Sequence, residues 1–333
     1  MENLIGEIER NVNIVLKDSK LSGSVFIAQE GEIFFNGSQG MANYELSVAN
    51  SSKTKYRIGS ITKLFTATAI MQLVENQQLD LDSTVDRYIA DYPNGNQIKI
   101  SHLLSHTSGV ANLTELPDFL EWVKNYSPVS ETIKRFKHQS VDFPAGQGYK
   151  YSNSGYILLS YILELITGQA YEEYLIENIF TPLDMKSSGF DKQEKIIEYR
   201  ASGYNIKGPE LINAPPIHMS NPYGAASLYS TTEDLYRFDQ AFYTNKLLNQ
   251  ESIEKMLQPS LGEHGLGWMI KREKNQNVAY HGGGIHGFSA NFLRYIDSKI
   301  VVIILCNVFY PKQKIEEISD RLVDIVFSKV DSK

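Results

Sequence analysis

A serine and a lysine stand three residues apart in RIGSITKLFTATAI, the stretch that spans residues 57–70. Residues at i and i+3 are neighbours on a helix surface, about 5 to 6 Å apart at Cβ, so Lys63 can reach the hydroxyl of Ser60. An amine beside a hydroxyl can serve as the base that activates a nucleophile. The apolar spacing of the stretch indicates a packed helix that begins near Ser60, and the polar pair adds covalent catalysis to that interpretation.

A second polar stretch, FPAGQGYKYSNSGY, spans residues 143–156. Its proline and glycines constrain a loop, and Tyr151 and Asn153 stand just ahead of the next helical pattern. The same residues fit an ordinary helix N-terminus, with Asn153 or Ser154 as the N-cap and Tyr151 as a packed aromatic. Taken alone, this stretch favours the ordinary N-terminus.

A third stretch, YHGGGIHGFSANF, spans residues 280–292. Its glycines match G-x-G-x-x-G, but a dinucleotide site needs a helix after the glycines, and here another strand pattern follows. Glycines on a strand edge also allow a ligand to approach the backbone and leave N–H groups free to donate. A wide hairpin or a bulge would use the same glycines without any ligand.

The composition limits the class of protein. The chain has 333 residues, 42% of them hydrophobic, and a formal net charge of -7. It can therefore bury one large core or two adjoining ones, and its charge argues against a nucleic-acid partner. The basic cluster at residues 271–274 is interpreted as a solvated hairpin turn. The single Cys306 cannot form an internal disulfide and is expected to be buried in a strand.

The patterns for membrane insertion and export are also informative. The longest apolar run, residues 300–306, is much shorter than the ~20 residues that cross a bilayer, so no transmembrane segment is expected. The first twenty residues are polar and amphipathic and lack the pattern of a secretory signal. We therefore expect either a cytoplasmic protein or an exported one whose leader has been removed.

The elements that position these stretches come from both ends of the chain. The first quarter predicts a helix over residues 4–17 and a hairpin that turns at Glu30-Gly31. The last quarter predicts strands in GLGWMIKR, NVAYHGG, FSANFLRYI and KIVVIILCN, and a helix over residues 315–327. Residues 72–259 are mainly helical in pattern, with Gly168 as a helix C-cap. We expect an α/β (α+β) fold with residues 1–71 and 260–333 in one discontinuous sheet domain and residues 72–259 in a helical domain.

Together the three polar stretches resemble the motifs of the serine β-lactamase and penicillin-binding protein superfamily, in its class C-like branch. The first motif, S-x-x-K, is matched by Ser60-Ile61-Thr62-Lys63. The second, Y-x-N, is matched by Tyr151-Ser152-Asn153, and the third, H-x-G, by His281-Gly282-Gly283. The order is that of the family, and HLLSHTSGV, FTPLDMKSSGF and GLGW are further similarities. The resemblance implies an antiparallel sheet flanked by helices with a mainly helical inserted domain.

The resemblance also implies roles for these residues. Ser60 would attack an acyl carbonyl and become an ester, with Lys63 and Tyr151 as the alternative bases and Tyr151 as the donor to the leaving group. Asn153 would hold the substrate's amide, and the N–H groups of Ser60 and Gly284 would stabilise the oxyanion. Because three consecutive glycines permit a shift of one position, Gly283 is also a candidate in the substrate-binding set. No cofactor and no metal are expected.

The third motif has a histidine where many members have lysine. A protonated His281 would attract a substrate carboxylate, so acylation by such substrates would weaken as the pH rises past neutrality. Alternatively, His281 hydrogen-bonds Tyr151 or the loop. His102 and His106 are expected to share a helix face as a structural pair, not a metal site. We expect His264 and His286 to be rim or loop residues.

The expected partner is a small molecule or peptide with an acyl group: a peptidoglycan-like peptide, an ester or a β-lactam. A penicillin-binding DD-peptidase or D-amino-acid peptidase-like enzyme is the first hypothesis. An esterase of the same fold, a β-lactamase, and a non-catalytic ligand-binding or sensor protein are the alternatives. The intact Ser60, Lys63 and Tyr151 favour an enzyme.

Overall fold

A six-stranded antiparallel sheet built from both ends of the chain is the centre of the fold. The computed structural model describes residues 2–330, and the side chains of residues 4–328. The strands are β1 (Gly23–Gln29), β2 (Glu32–Gln39), β3 (Met41–Asn43), β4 (Val48–Ala49), β5 (Tyr56–Arg57), β6 (Gly189–Phe190), β7 (Tyr204–Lys207), β8 (Glu210–Asn213), β9 (Leu228–Ser230), β10 (Met269–Glu273), β11 (Gln276–Ile285), β12 (Phe288–Tyr295), β13 (Ile300–Cys306) and β14 (Val308–Phe309). The main sheet has the order β10-β11-β12-β13-β1-β2, so the last quarter of the chain pairs with the first through β13 and β1.

Tight turns set the register of this sheet. The predicted hairpin of β1 and β2 is confirmed, and its turn residues Glu30 and Gly31 have φ values of 48° and 92°. Two consecutive positive φ angles are typical of the type I′ turn, whose twist matches that of the strands. Lys274 and Asn275 turn β10 into β11 in the same way, with φ values of 49° and 59°.

Ten helices occur in the part of the chain that the structure describes. They are α1 (Glu2–Ser19), α2 (Thr62–Glu75), α3 (Ile100–Leu104), α4 (Phe119–Trp122), α5 (Val129–Lys137), α6 (Asn153–Thr167), α7 (Tyr171–Leu175), α8 (Thr232–Ala241), α9 (Gln250–Leu257) and α10 (Lys312–Val330). Of these helices, α1, α8 and α10 pack on the main sheet. Short 3-10 turns lie at Gly59–Ile61, Val85–Arg87, Gly95–Gln97, Leu113–Glu115, Tyr223–Ala225 and Leu261–Glu263, and a π turn lies at Ile176–Phe180. The predicted terminal helices are confirmed, and none of the helices described is long and apolar enough to cross a membrane.

The sheet separates two hydrophobic cores. In β13, Val302 and Ile304 point to the core that α1 and α10 cover, whereas Ile303 and Leu305 point to the larger core shared with α2, α6 and α8. This alternation follows from the two-residue period of a strand. Cys306 is buried as predicted, and it belongs to the α1/α10 side. The expected class, an antiparallel sheet flanked by helices, is confirmed, and α2 projects from the larger core toward the edge of β11.

Two local predictions need correction. The strand predicted in GLGWMIKR begins only at Met269, because residues 265–268 form turns. The basic cluster at residues 271–274 is not a solvated turn alone, since Lys271 and Arg272 belong to β10 and only Lys274 lies in the turn. Residues 72–259 also contain four short strands, β6 to β9. The division of the chain into domains at residues 71/72 and 259/260 stays a prediction.

Candidate active site

Ser60 lies in a 3-10 turn, Gly59–Ile61, that leads directly into α2. The helix start expected near Ser60 is therefore confirmed, with its first turn wound more tightly. Gly59 has a φ of 52°, and a Cβ built on it would lie 2.7 Å from the amide nitrogen of Gly284 on β11. Glycine is required here because the backbone is left-handed and no side chain fits against the strand. This close approach holds the nucleophile against the edge of the sheet.

Lys63 is completely buried one turn after Ser60. Its Nζ lies 3.2 Å from the Ser60 Oγ, 2.8 Å from the Asn153 Oδ1 and 3.0 Å from the carbonyl oxygen of Ala225. Among the described residues no carboxylate forms an ion pair with it. Burial without a counter-ion lowers the pKa of Lys63 well below its ordinary value, so the neutral amine is favoured.

The hydrogen-bond partners of Lys63 are those that a neutral amine can satisfy. Such an amine has two N–H donors and one lone pair. The oxygens of Asn153 and Ala225 can only accept and therefore take the two donors. The lone pair is then available to the Ser60 hydroxyl, which can donate its proton to Nζ. This arrangement is that of a general base beside a nucleophile.

Asn153 is the first residue of α6, and its side chain points to the nucleophile. Asn112 orients it, since the Asn112 Oδ1 accepts from the Asn153 backbone N–H at 3.1 Å and from Nδ2 at 3.3 Å. The alternative in which Asn153 or Ser154 is the helix N-cap is wrong. The N-cap position belongs to Ser152, which makes no side-chain capping bond. Asn153 is thus held as an acceptor for Lys63.

Tyr151 is held by aromatic packing. Its ring lies 4.3 Å from the ring of His106 between centroids, and the Lys63 Nζ lies 4.8 Å from the tyrosine ring centroid. The Tyr151 hydroxyl is buried and makes no hydrogen bond of regular geometry with the described residues. Burial raises the pKa of Tyr151, and the Ser60 side chain opposes that rise. Tyr151 is therefore a neutral phenol that retains its proton.

Three buried histidines surround Tyr151. The backbone N–H of Ser152 donates to the Nδ1 of His106, and the Nδ1 of His264 lies 3.2 Å from the Tyr149 hydroxyl. His264 is buried and therefore not a rim residue, but it lies in the loop before β10. His286 lies in the turn between β11 and β12, so both occupy the loop positions that were the other part of the expectation. The Nε2 atoms of His106, His264 and His281 have no partner among the described residues.

His102 and His106 do not share a helix face as predicted. The helix α3 ends at Leu104, and His106 has a φ of 58°, so the chain has left the helix before it reaches that residue. No group of three potential metal ligands occurs among the residues that the structure describes. His106 instead packs under Tyr151.

The expectation that His281 carries a positive charge is wrong for the free protein. His281 is buried on β11, and burial together with Lys63 lowers the pKa of this histidine to about 3. Its Nδ1 lies 2.7 Å from the carbonyl oxygen of Gly282, so the neutral imidazole donates its one N–H there. The alternative hydrogen bond to Tyr151 is not formed either, since the Tyr151 hydroxyl and the His281 Nε2 both lack a partner among the described residues. His281 therefore presents an uncharged Nε2 acceptor at neutral pH.

The glycines of β11 form the strand edge that faces Ser60. A Cβ built on Gly283 would lie 2.1 Å from the carbonyl oxygen of Ile58, so this position is as tightly packed as Gly59. β11 and β12 join through a two-residue turn, with Ile285 paired to Phe288 and Gly284 to Ser289. Because hydrogen-bonded and non-hydrogen-bonded pairs alternate from such a turn, the Gly284 N–H points away from β12. It therefore faces the side on which Ser60 lies.

Two clefts meet at Ser60. The larger has a volume of about 720 Å³ and contains Tyr151 and His281. The smaller, of about 340 Å³, contains Asn153. Its apolar walls are formed by Leu113, Phe119, Ile157, Ile217 and Ile285. A scissile bond at Ser60 would place one part of the substrate in each cleft.

The structure brings all seven predicted site residues together, and their catalytic and binding roles stay predictions. These residues are Ser60, Lys63, Tyr151, Asn153, His281, Gly283 and Gly284. Sequence analysis missed Asn112 and the carbonyl of Ala225, which complete the surroundings of Lys63. No local motif marks either residue, since the Lys63–Ala225 contact spans 162 positions.

Comparisons with known proteins show which family and fold the chain resembles. The family model described as Beta-lactamase matches residues 11–326. The putative penicillin-binding protein PbpX of Bacillus subtilis is 31% identical over 98% of this chain and 81% of its own. The teichoic acid D-alanine hydrolase of Staphylococcus aureus is 24% identical over 90% of this chain and 73% of its own. The crystal structure of a penicillin-binding protein from Bacillus halodurans superposes with a TM-score of 0.84 at 27% identity, over 93% of this chain and 98% of its own.

Proposed function

The chain belongs to the beta-lactamase family of serine hydrolases, and on that premise we propose that it cleaves D-aminoacyl bonds through an acyl-enzyme on Ser60. The observation that carries the proposal is the buried Lys63, whose amine has two carbonyl acceptors, no carboxylate partner among the described residues, and the Ser60 hydroxyl at 3.2 Å. A structural lysine would be solvated or paired with an acid.

In the proposed acylation step, the Ser60 Oγ attacks the acyl carbon and its proton passes to the Lys63 Nζ. The oxyanion lies between the N–H groups of Ser60 and Gly284, and the loss of one such donor typically costs about 10² to 10³ in rate. The neutral Tyr151 gives its proton to the leaving group, and the Lys63 ammonium restores that proton. Water then repeats the attack, and the acid is released from Ser60.

The positions of the side chains support an assignment of the two clefts. Asn153 lies in the smaller, apolar cleft, which would hold the acyl part, whereas Tyr151 lies in the larger cleft, where it can meet the leaving group. Support for a D-amino acid as the acyl part comes from the relatives, which are named a penicillin-binding protein and a teichoic acid D-alanine hydrolase.

The test is an intact-mass time course with an uncharged thioester, N-benzoyl-D-alanyl-thioglycolamide, and with its L-alanyl enantiomer. We expect a benzoyl-D-alanyl adduct on Ser60 and release of the thiol, with the L compound at least about tenfold slower. The Ser60→Ala variant should give neither adduct nor thiol release.

Thiol release that persists in Ser60→Ala would place the reaction elsewhere and overturn the proposal. Equal rates for the two enantiomers, with an adduct that still requires Ser60, would remove the D-aminoacyl assignment and favour a general esterase. Binding without any adduct would favour the non-catalytic alternative.

A further inference from the structure

The charges around the larger cleft do not fit a leaving group that carries a carboxylate. The cations that line this cleft are Lys271 and Lys312, and no arginine lines it among the described residues. The Nζ of Lys271 pairs with Glu273, and the Nζ of Lys312 lies 3.5 Å from Glu316. Each of the two positive charges is thus already opposed by a carboxylate.

A further carboxylate, that of Asp320, adds negative charge to this cleft. Asp320 lines the cleft one turn after Glu316 on α10, and it forms no direct ion pair within the part of the chain that the structure describes. Partial burial and, next, the nearby Glu273 raise the pKa of Asp320, whereas Lys271 lowers it. An incoming carboxylate would lie beside Glu316 and Asp320, which both line the cleft.

His281 is a second, independent reason why this cleft does not suit a leaving group that carries a carboxylate. It is 1% exposed and lines the cleft, where a cation of the family's third motif would face the substrate. Its Nδ1 faces the Gly282 carbonyl at 2.7 Å, and its Nε2 has no partner among the described residues. An imidazole in this tautomer offers a buried lone pair at Nε2, which repels a carboxylate and accepts from an N–H or O–H donor.

We infer that the leaving group of the substrate carries no carboxylate beside the scissile bond and instead offers a hydrogen-bond donor with no charge or a positive one. This inference rests on the proposed function and specifies its substrate class. The substrates are D-aminoacyl amides or D-aminoacyl esters of alcohols, in preference to peptides that end in a free D-alanine carboxylate.

A matched pair of thioesters tests the inference. N-benzoyl-D-alanyl-thioglycolamide and N-benzoyl-D-alanyl-thioglycolate differ only by a carboxamide in place of a carboxylate. We expect kcat/KM to be about tenfold higher for the amide, which corresponds to about 1.4 kcal/mol of discrimination. The ratio should fall as salt is added, because screening weakens interactions between exposed charges.

Two variants of α10 locate the cause of the preference. Glu316→Lys reverses a charge that lines the cleft, and it should raise kcat/KM for the carboxylate thioester until the ratio approaches one. Glu317→Lys makes the same change at a neighbouring position that does not line the cleft, and it should leave the ratio unchanged. Neither residue belongs to the proposed catalytic machinery.

Several outcomes would overturn the inference. These are a carboxylate thioester that reacts as fast as the amide, and a ratio that moves equally in both variants. A third is failure of both thioesters while p-nitrophenyl acetate still acylates Ser60, since the proposed acyl-enzyme would then stand without this substrate class. If no reagent acylates Ser60, the proposed function itself fails.

Discussion

Two buried basic side chains, Lys63 on α2 and Arg294 on β12, have opposite surroundings. Arg294 donates through Nε to Asp239 of α8, and its guanidinium lies 4.7 Å from the ring centroid of Phe242. Burial opposes its charge, but the adjacent Asp239 raises the pKa of Arg294. Lys63 has only uncharged acceptors, and burial alone lowers its pKa.

The contrast shows that this fold uses buried basic side chains in two ways. A paired cation is stabilised in its charged form and connects α8 to the sheet. An unpaired lysine becomes a base, because its neutral form is the one that the interior favours. Substitutions of Lys63 and of Arg294 test this difference separately.

The largest effect is expected for Lys63→Met, which keeps the length of the side chain and removes the base. Acylation by N-benzoyl-D-alanyl-thioglycolamide should slow by about 10²- to 10⁴-fold, the usual contribution of a general base. The urea midpoint should stay the same or rise, since a buried polar group is replaced by an apolar one. A large loss of stability would mean that Lys63 is structural after all.

Arg294→Met should lower the stability of the protein and leave the acylation rate nearly unchanged. It leaves the Asp239 carboxylate buried and unpaired, so the free energy of unfolding should fall by about 3 to 5 kcal/mol, as measured by urea denaturation. The folded fraction should still acylate at close to the normal rate. The double variant Arg294→Met/Asp239→Leu should recover most of the stability, and no recovery would contradict a paired structural role.

The buried histidines give a smaller, pH-dependent effect. Burial lowers the pKa of His264 to about 4 and that of His281 to about 3, whereas an unfolded histidine titrates near 6.5. Between those values the unfolded chain binds protons that the folded chain does not, so stability is present above pH 6.5 and is lost as the pH falls. Each histidine should cost about 2 kcal/mol of stability at pH 5.

Urea denaturation at pH 7 and pH 5 measures this loss. Because burial also lowers the pKa of His106, His264→Gln should remove only its own share of this loss, about 2 kcal/mol at pH 5, and the exposed His138→Gln serves as the control variant. Neither buried histidine should add an inflection to the acylation rate above pH 5. If acylation instead declined as the pH rose past neutrality, that result would contradict the neutral His281 and support a protonated one.

Sequence patterns located the catalytic candidates because their spacing is local. Ser60 and Lys63 lie one turn apart, and Tyr151 and Asn153 lie two residues apart, so helix and loop geometry already constrain each pair. The resemblance to a family then joined the three motifs across the chain. The hairpins and the terminal helices followed from apolar periodicity and turn residues in the same way.

The charge states and the supporting contacts could not be predicted in this manner. The charge of His281 depends on how deeply its strand is buried, which no local pattern specifies, so the sequence left both a cationic and a hydrogen-bonding histidine open. Asn112 and the Ala225 carbonyl approach the site from distant parts of the chain. Lys271 was assigned to a solvated turn, but it belongs to β10 and lines the larger cleft.

The contact between the Ser60 turn and the Gly284 edge has a consequence for biosynthesis. Residue 60 is made 224 positions before residue 284, an interval of roughly 11 to 45 s at ordinary rates of translation. β13 must also be made before β1 can complete the sheet. During that interval the serine exists without one of its proposed oxyanion donors, so a partly made chain should react with acyl donors at least about 10²-fold more slowly. Full reactivity is then acquired only when the last quarter of the protein has folded onto the first.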